Sequence, residues 1–291
     1  MQTPGWLVIL LITLVLAAGC ATNPAKSSFS VDDKGALSLT CAPETVSATV
    51  LFSNETYTKS RLVFHAENED VIGYLAVPAK MKGAVVYAPG AGEKLAGHEA
   101  RMVRYAAAGY GFLFVDTRGN GGETPGIPFG QQLVQQDFAT FEKGEMPQYY
   151  QSICDLTSAR RYLAANNAVP IYAMGSSNGG RYAAVAVGTD PLFSGYVGIS
   201  TSDWGLLDSV TGQGIGGDPL RFAMSLEPSS YFSRISPRPV WIFHARADPI
   251  IPFESGQQFF EKALEPKKFI EFSGAHGINP DVDTKILEQW A

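Results

Sequence analysis

Short runs of apolar, branched and aromatic residues punctuate the chain from residue 84 onward. Residues 84–88 (AVVYA), 112–115 (FLFV), 171–174 (IYAM), 196–199 (YVGI), 240–243 (VWIF) and 269–272 (FIEF) are largely apolar throughout, as strands covered on both faces must be. Helices are predicted between them over residues 98–108, 147–166, 179–187, 254–263 and 281–290. Such alternation predicts an α/β domain with a mostly parallel central sheet and helices on both faces. Upstream, residues 61–65 and 71–77 flank the polar turn Glu67-Asn68-Glu69-Asp70, which predicts an antiparallel strand pair at a sheet edge. Residues 203–236 form a longer, at first Gly-rich connection, expected to fold as a small helical cap over one end of the sheet.

The beginning of the chain has a different pattern. Residues 6–18 (WLVILLITLVLAA) are uniformly apolar, short for a membrane span and the right length for a signal-peptide core. The run closes on Leu16-Ala17-Ala18-Gly19-Cys20, which resembles the lipobox of bacterial-type lipoproteins. That resemblance implies a signal peptide over residues 1–19 and a lipidated Cys20. Residues 20–48, rich in Ala, Ser, Thr and Pro, are then expected as a tether to the main domain at 49–291. An uncleaved anchor and a simple cleaved signal are the alternatives. All three place the domain outside the cytoplasm, and the first two hold it at the membrane. An oxidising compartment would permit Cys41 and Cys154 to pair, although spacing along the chain does not fix their distance in space.

Composition narrows the function classes. The 291 residues are 45% hydrophobic and 17% charged, enough for one sizeable core. Net charge is 22 − 28 = −6, the wrong sign for a phosphate-binding surface, so nucleic acid is not an expected partner. Three Cys without a Cys-x-x-Cys pair give no reason to expect a metal. No phosphate-binding loop or dinucleotide fingerprint is present, and no cofactor is expected.

Candidate chemistry begins after the strand at 171–174, in Gly175-Ser176-Ser177-Asn178-Gly179-Gly180 followed by helix-forming residues. Gly-x-Ser-x-Gly between strand and helix places the serine in a sharp turn, where small neighbours two positions away avoid a clash. A serine needs an imidazole to take its proton, and the imidazole needs a carboxylate to fix its tautomer. Asp248 follows the strand at 240–243 in Ala247-Asp248-Pro249-Ile250-Ile251-Pro252, and His276 follows the last strand in Gly274-Ala275-His276-Gly277. In this order, Ser177, Asp248, His276, residues 49–291 resemble the α/β-hydrolase superfamily, most of all its dienelactone-hydrolase and acyl-esterase branch.

The resemblance implies a metal-independent serine hydrolase cleaving a small ester or thioester through an acyl-enzyme on Ser177. The remaining histidines are read otherwise: His244 as a packed core residue, His65 and His98 as edge, cap or surface residues. Asp203 and Asp208 are the competing acids. Backbone N–H groups of Asn178 and of the Pro89-Gly90-Ala91-Gly92 loop are expected to bind the oxyanion, with Ala91 favoured and Gly92 open. In the loop Asp116-Thr117-Arg118-Gly119-Asn120-Gly121-Gly122, Asp116 and Arg118 are read as loop-fixing. Trp204, with Leu206, Leu207, Phe222 and Met224, is expected near a substrate pocket under the cap. Two other readings are a peptidase of the same fold and a ligand-binding lipoprotein without chemistry.

Overall fold

In the computed structural model of the chain, which describes residues 26–290, the apolar runs become the inner strands of one nine-stranded sheet. In chain order its strands are β3 (Thr45–Ser53), β4 (Tyr57–His65), β5 (Asp70–Pro78), β6 (Gly83–Ala88), β7 (Tyr110–Val115), β8 (Ile171–Ser176), β9 (Gly195–Ile199), β10 (Val240–Ala245) and β11 (Lys267–Phe272). They lie in the order β11-β10-β9-β8-β6-β7-β5-β4-β3. The six from β7 to β11 are mutually parallel, and β5, β4 and β3 extend the sheet antiparallel at one side.

Burial explains the uniform apolarity of the inner strands. Along β6, Ala84, Val86 and Ala88 enter one core cluster while Val85 and Tyr87 enter the other, so neither face tolerates a polar side chain. Helices α1 (Glu99–Ala107) and α9 (Pro280–Trp290) cover one face. The other is covered by α2 (Gln131–Glu142), α3 (Gln148–Asn166), α4 (Asn178–Thr189), α7 (Phe232–Ile235) and α8 (Phe253–Glu261). The helix after β6 and the helix after β8 therefore lie on opposite faces, although the two strands are neighbours. Their loops diverge, and a crevice opens above their carboxyl ends, the place where open α/β sheets bind ligands.

The N-terminal segment departs from the tether expected over 20–48. Strands β1 (Ser28–Val31) and β2 (Leu37–Thr40) form an antiparallel hairpin whose Val31 and Leu37 are buried in the main core. The Asp32 side chain accepts the amides of Lys34 and Ala36 at 2.9 and 2.8 Å, which closes the turn. Cys41 and Cys154 form a disulfide, with Cα atoms 5.3 Å apart, that fastens the segment to α3. Alternation in SFSV and LSLT is too short, and too rich in Ser, to distinguish a strand from a linker by composition. Edge strand β3 was likewise hidden by its Thr and Ser, and α2 by the polar run QQLVQQ.

Residues 203–236 are helical, with α5 (Leu206–Gly212), α6 (Asp218–Leu226), a 3-10 turn and α7. They pack sideways, α6 against α2 and β1 and α7 against α4. The signal peptide and Cys20 lie outside the described residues. Among the described residues no helix is long and apolar enough to cross a membrane.

Candidate active site

Ser177 occupies the single position between β8 and α4, with φ 51° and ψ −119°. For a residue with a Cβ this conformation costs about 1–3 kcal/mol and must be held by its surroundings. Its N–H donates to the Ile199 carbonyl at 2.8 Å, and its own carbonyl accepts the Gly180 amide at 3.0 Å and Thr201 Oγ1 at 2.9 Å. The flanking glycines are required sterically: a Cβ on Gly175 would lie 2.2 Å from Gly179 carbon, and one on Gly179 would lie 2.0 Å from the Ala88 carbonyl oxygen. The serine itself is only half-buried.

Asp248 and His276 meet. The imidazole Nδ1 lies 3.0 Å from Oδ1 and 2.9 Å from Oδ2 of the buried carboxylate. The Ile250 and Ile251 amides both donate to Asp248 Oδ1 at 2.9 Å, which fixes the acid before the imidazole arrives. Burial works to raise the Asp248 pKa, but those two amides and His276 outweigh it, and the carboxyl is held below its ordinary value. An ionised carboxylate can only accept, so Nδ1 carries the proton and Nε2 is left as the basic atom. Gly277 turns at φ 90°, and a Cβ there would lie 3.6 Å from Ser176 Oγ, which sets the His276 loop against the end of β8.

The competing residues have other hydrogen-bond partners or lie exposed, although His244 Nε2 also lies 3.5 Å from Asp248 Oδ2. His244 is fully buried, with Nε2 donating to the Ile251 carbonyl at 3.0 Å, and burial lowers its pKa. His65 is exposed beside Asp70 and Ser47. His98 holds the N-cap position of α1, without a side-chain capping bond, and rather than lying at the surface is buried against the rings of Tyr87 and Phe114. Asp203 pairs with Lys262 at 2.7 Å and accepts the Ser229 amide, and Asp208 is exposed on α5.

Two backbone donors face one cleft. In the 89–93 loop the Gly90 amide is bound to Glu93 Oε2 at 3.0 Å, the Gly92 amide to Asn120 Oδ1 at 2.9 Å, and the Glu93 amide to the Gly90 carbonyl at 3.0 Å. Within this loop only the Ala91 N–H has no acceptor among the described residues, while the Gly92 amide is already committed to Asn120. Asn178, first residue of α4, has an equally free N–H at a helix N-terminus. Both residues line a cleft of about 250 Å³ with Pro89, Asn120, Phe129 and Tyr182.

Trp204 does not line that cleft. Its indole stacks on Phe129 at 3.6 Å between ring centroids, beneath the Arg181 guanidinium at 4.1 Å, so it backs the cleft wall. Phe222 packs on Phe138 and Phe141, and Met224 meets the hairpin at Gly35. The cleft has no lining residue from 203–236, and α6 packs instead against α2 and the N-terminal hairpin. Asp116 and Arg118 do fix their loop: Asp116 accepts the Glu123 and Thr124 amides, and Arg118 holds buried Asp155 through two hydrogen bonds of 2.8 and 3.1 Å.

Two residues without a role in the sequence reading shape the site. Asn120 accepts from Gly92 and donates to the Glu93 carbonyl at 2.9 Å, clamping the Ala91 loop from the β7 side. Glu93 sends its carboxylate inward to Tyr87, Gly90 and Ser176. A lone carboxylate five residues past an apolar strand, after a loop of Pro, Gly and Ala, is the available signal. Among the described residues no group of three His, Cys, Asp or Glu side chains is placed to hold a metal ion.

No protein-family model matches the chain, and no curated protein does. Solved structures do resemble it. Acetyl xylan esterase from Paenibacillus sp. R4 superposes with a TM-score of 0.67 at 17% identity, over 85% of this chain and 89% of that one. Glucuronoyl esterase from Solibacter usitatus gives 0.62 at 14% identity, over 85% and 86%. Acylaminoacyl peptidase from Pyrococcus horikoshii gives 0.57 at 17%, over 81% of this chain and 40% of that one. Likeness at such low identity speaks to architecture, and with the sheet order and crossovers described above it establishes that the chain has the α/β-hydrolase fold.

Proposed function

We propose that the protein is a serine hydrolase that acts outside the cytoplasm on carboxylic esters or thioesters. Ser177 is the nucleophile, His276 the base and Asp248 the partner that orients it. The observation that carries this reading is the pairing of His276 Nδ1 with an anchored Asp248 on a loop that abuts the strained Ser177 turn.

The reaction follows from these roles. Ser177 Oγ attacks the ester carbonyl while His276 Nε2 takes its proton, and the carbonyl electrons move onto oxygen. The Ala91 and Asn178 N–H groups receive that charge, where preorganised donors act most strongly. Collapse breaks the bond to the leaving oxygen or sulfur, which takes the proton from His276. Water then repeats the sequence on the acyl-enzyme and frees Ser177.

Ester chemistry is supported by the names of two similar structures, both esterases. A cleft of about 250 Å³ suits a short substituent on one side of the ester. Peptide hydrolysis is the second reading, favoured by the likeness to an acylaminoacyl peptidase. Turnover of p-nitrophenyl acetate against aminoacyl p-nitroanilides separates the two. The reading requires Ser177→Ala and His276→Asn to fall to background, and turnover retained by Ser177→Ala contradicts it.

Location rests on different features. The Cys41–Cys154 disulfide fits an oxidising compartment, and the apolar run before Cys20 fits export with lipid attachment at that cysteine. Mass spectrometry of the N-terminal peptide tests this. A diacylglyceryl Cys20 at the mature terminus is expected, and an unmodified terminus contradicts it.

A further inference from the structure

A half-buried carboxylate stands beside the site without a part in the acyl transfer. Glu93 Oε2 accepts the Tyr87 hydroxyl at 2.9 Å and the Gly90 amide at 3.0 Å, and lies 3.3 Å from His98 Nε2. Its Oε1 accepts Ser176 Oγ at 3.1 Å and would lie 3.4 Å from a Cβ on Gly277. These partners are not scattered. Gly90 precedes the Ala91 donor, Ser176 precedes the nucleophile, and Gly277 follows the base.

The polarity of the network is set by Arg101. Arginine only donates, and its Nη1 meets His98 Nδ1 at 2.5 Å, so His98 carries its proton on Nε2 and donates it to Glu93. Arg101 also binds Asp283 Oδ1 at 2.8 Å through Nε and the Ile278 carbonyl at 3.4 Å through Nη2, which reaches the His276 loop from its far side. Four donors thus converge on two carboxylate oxygens, an arrangement an amide side chain would not satisfy.

We propose that Glu93 is a positioning residue for the acyl transfer: its carboxylate ties the Ala91 loop, the Ser177 turn and the His276 loop to one point, and its charge favours the imidazolium that His276 becomes. The proposal rests on the reading of Ser177 and His276 given above. Burial works to neutralise the Glu93 carboxyl, but His98, the Gly90 amide and Tyr87 hold its pKa down to about 2, so the charge is present at any working pH. The groups around it are Tyr87 from β6, His98 and Arg101 from the start of α1 and Asp283 from α9 beyond Arg101, while Gly277 of the His276 loop packs against Oε1. Arg101 and Asp283 form a buried pair at 2.8 Å, so the positive charge behind His98 is matched within that pair.

The test is the pH dependence of kcat/KM on p-nitrophenyl acetate for the full chain, Glu93→Gln and Ser176→Ala. Glu93→Gln removes the negative charge beside the His276 loop, so the acid limb of its kcat/KM profile moves to lower pH and kcat falls about tenfold. Ser176→Ala keeps the charge and cuts the tie to the turn. Its kcat falls severalfold with KM and the acid limb unchanged.

An unmoved limb in a folded Glu93→Gln protein overturns the electrostatic role, and an unchanged kcat in Ser176→Ala overturns the tie. Should Glu93→Gln not fold, the Ser176→Ala split between kcat and KM decides alone. Fluorophosphonate labelling of the wild type keeps the two failures apart. An unlabelled Ser177 removes the hydrolase reading and this proposal with it, whereas a labelled Ser177 with an unmoved limb removes only the role of Glu93.

Discussion

His276 offers one ring nitrogen to both oxygens of Asp248, at 2.9 and 3.0 Å, while the amides of Ile250 and Ile251 hold the carboxylate from behind. An amide in place of that acid keeps the shape but presents a donor to Nδ1, which reverses the tautomer and turns Nε2 into a donor. Asp248→Asn is expected to lose about 10⁴-fold in kcat with its folding intact. Steady-state kinetics beside a urea denaturation curve checks this. A loss below about tenfold would mean that another group orients the imidazole.

Gly179 sits in the first turn of α4, where alanine normally improves helix stability by about 1 kcal/mol. Here the added Cβ would meet the Ala88 carbonyl at 2.0 Å, contact with backbone that cannot swing away. Gly179→Ala is expected to cost about 3 kcal/mol or more, the overpacking penalty exceeding the propensity gain. Gly212 at the end of α5 has nothing within 4 Å of a Cβ, and Gly212→Ala is expected to be neutral or stabilising. Urea midpoints of the two variants should move in different directions.

The Cys41–Cys154 bridge spans 113 positions and clips the N-terminal hairpin to α3. Closing so long a loop restricts the unfolded chain, and the double variant Cys41→Ala/Cys154→Ala is expected to lose about 2–5 kcal/mol. Thermal unfolding with and without reductant gives the same comparison on the wild type. An unchanged midpoint would show that the hairpin is held without the bridge, by its apolar residues and by the Arg221 and Arg234 hydrogen bonds to its carbonyls.

Two buried carboxyls make stability depend on pH. Burial, reinforced by the charge of Asp155, pushes Glu44 from an ordinary 4.5 up to about 7, and burial pushes Asp137 from 3.8 up to about 6. The native state keeps these protons where the unfolded chain has released them. Their contribution is therefore fully present below about pH 4 and is lost as pH rises toward 7. Glu44→Gln, at the wall of a cavity of about 380 Å³ beyond Arg118, is expected to raise the urea midpoint at pH 7.5 and to change little near pH 4.5. An equal shift at both pH values would rule out titration of Glu44 as the cause.

Legibility followed the strength of local constraint. The strained turn at Ser177 must be flanked by small residues, and the inner strands must be apolar on both faces, so both are written in adjacent letters of the sequence. Asp248 and His276 could be named because each follows a strand at the same end of a parallel sheet. Glu93 and Asn120 could not, since their partners are brought together only when the loops after β6 and β7 fold back on each other. Trp204 is expected at a pocket under residues 203–236 and instead backs Phe129, because residue type alone does not distinguish a pocket wall from its support. The β1–β2 hairpin is hidden by composition: its Ser and Thr face outward, and the inward Phe29, Val31, Leu37 and Leu39 are too few to mark two strands.

An activated serine is the claim on which the rest depends, and covalent labelling reads it without knowledge of the substrate. The full chain, extracted in detergent, is treated with a fluorophosphonate, and the adduct is located by peptide mass spectrometry in the wild type and in His276→Asn. A stoichiometric adduct on Ser177 that is lost in His276→Asn is the expected result. A folded wild type that stays unlabelled, or a label on Ser177 that persists without His276, would contradict it.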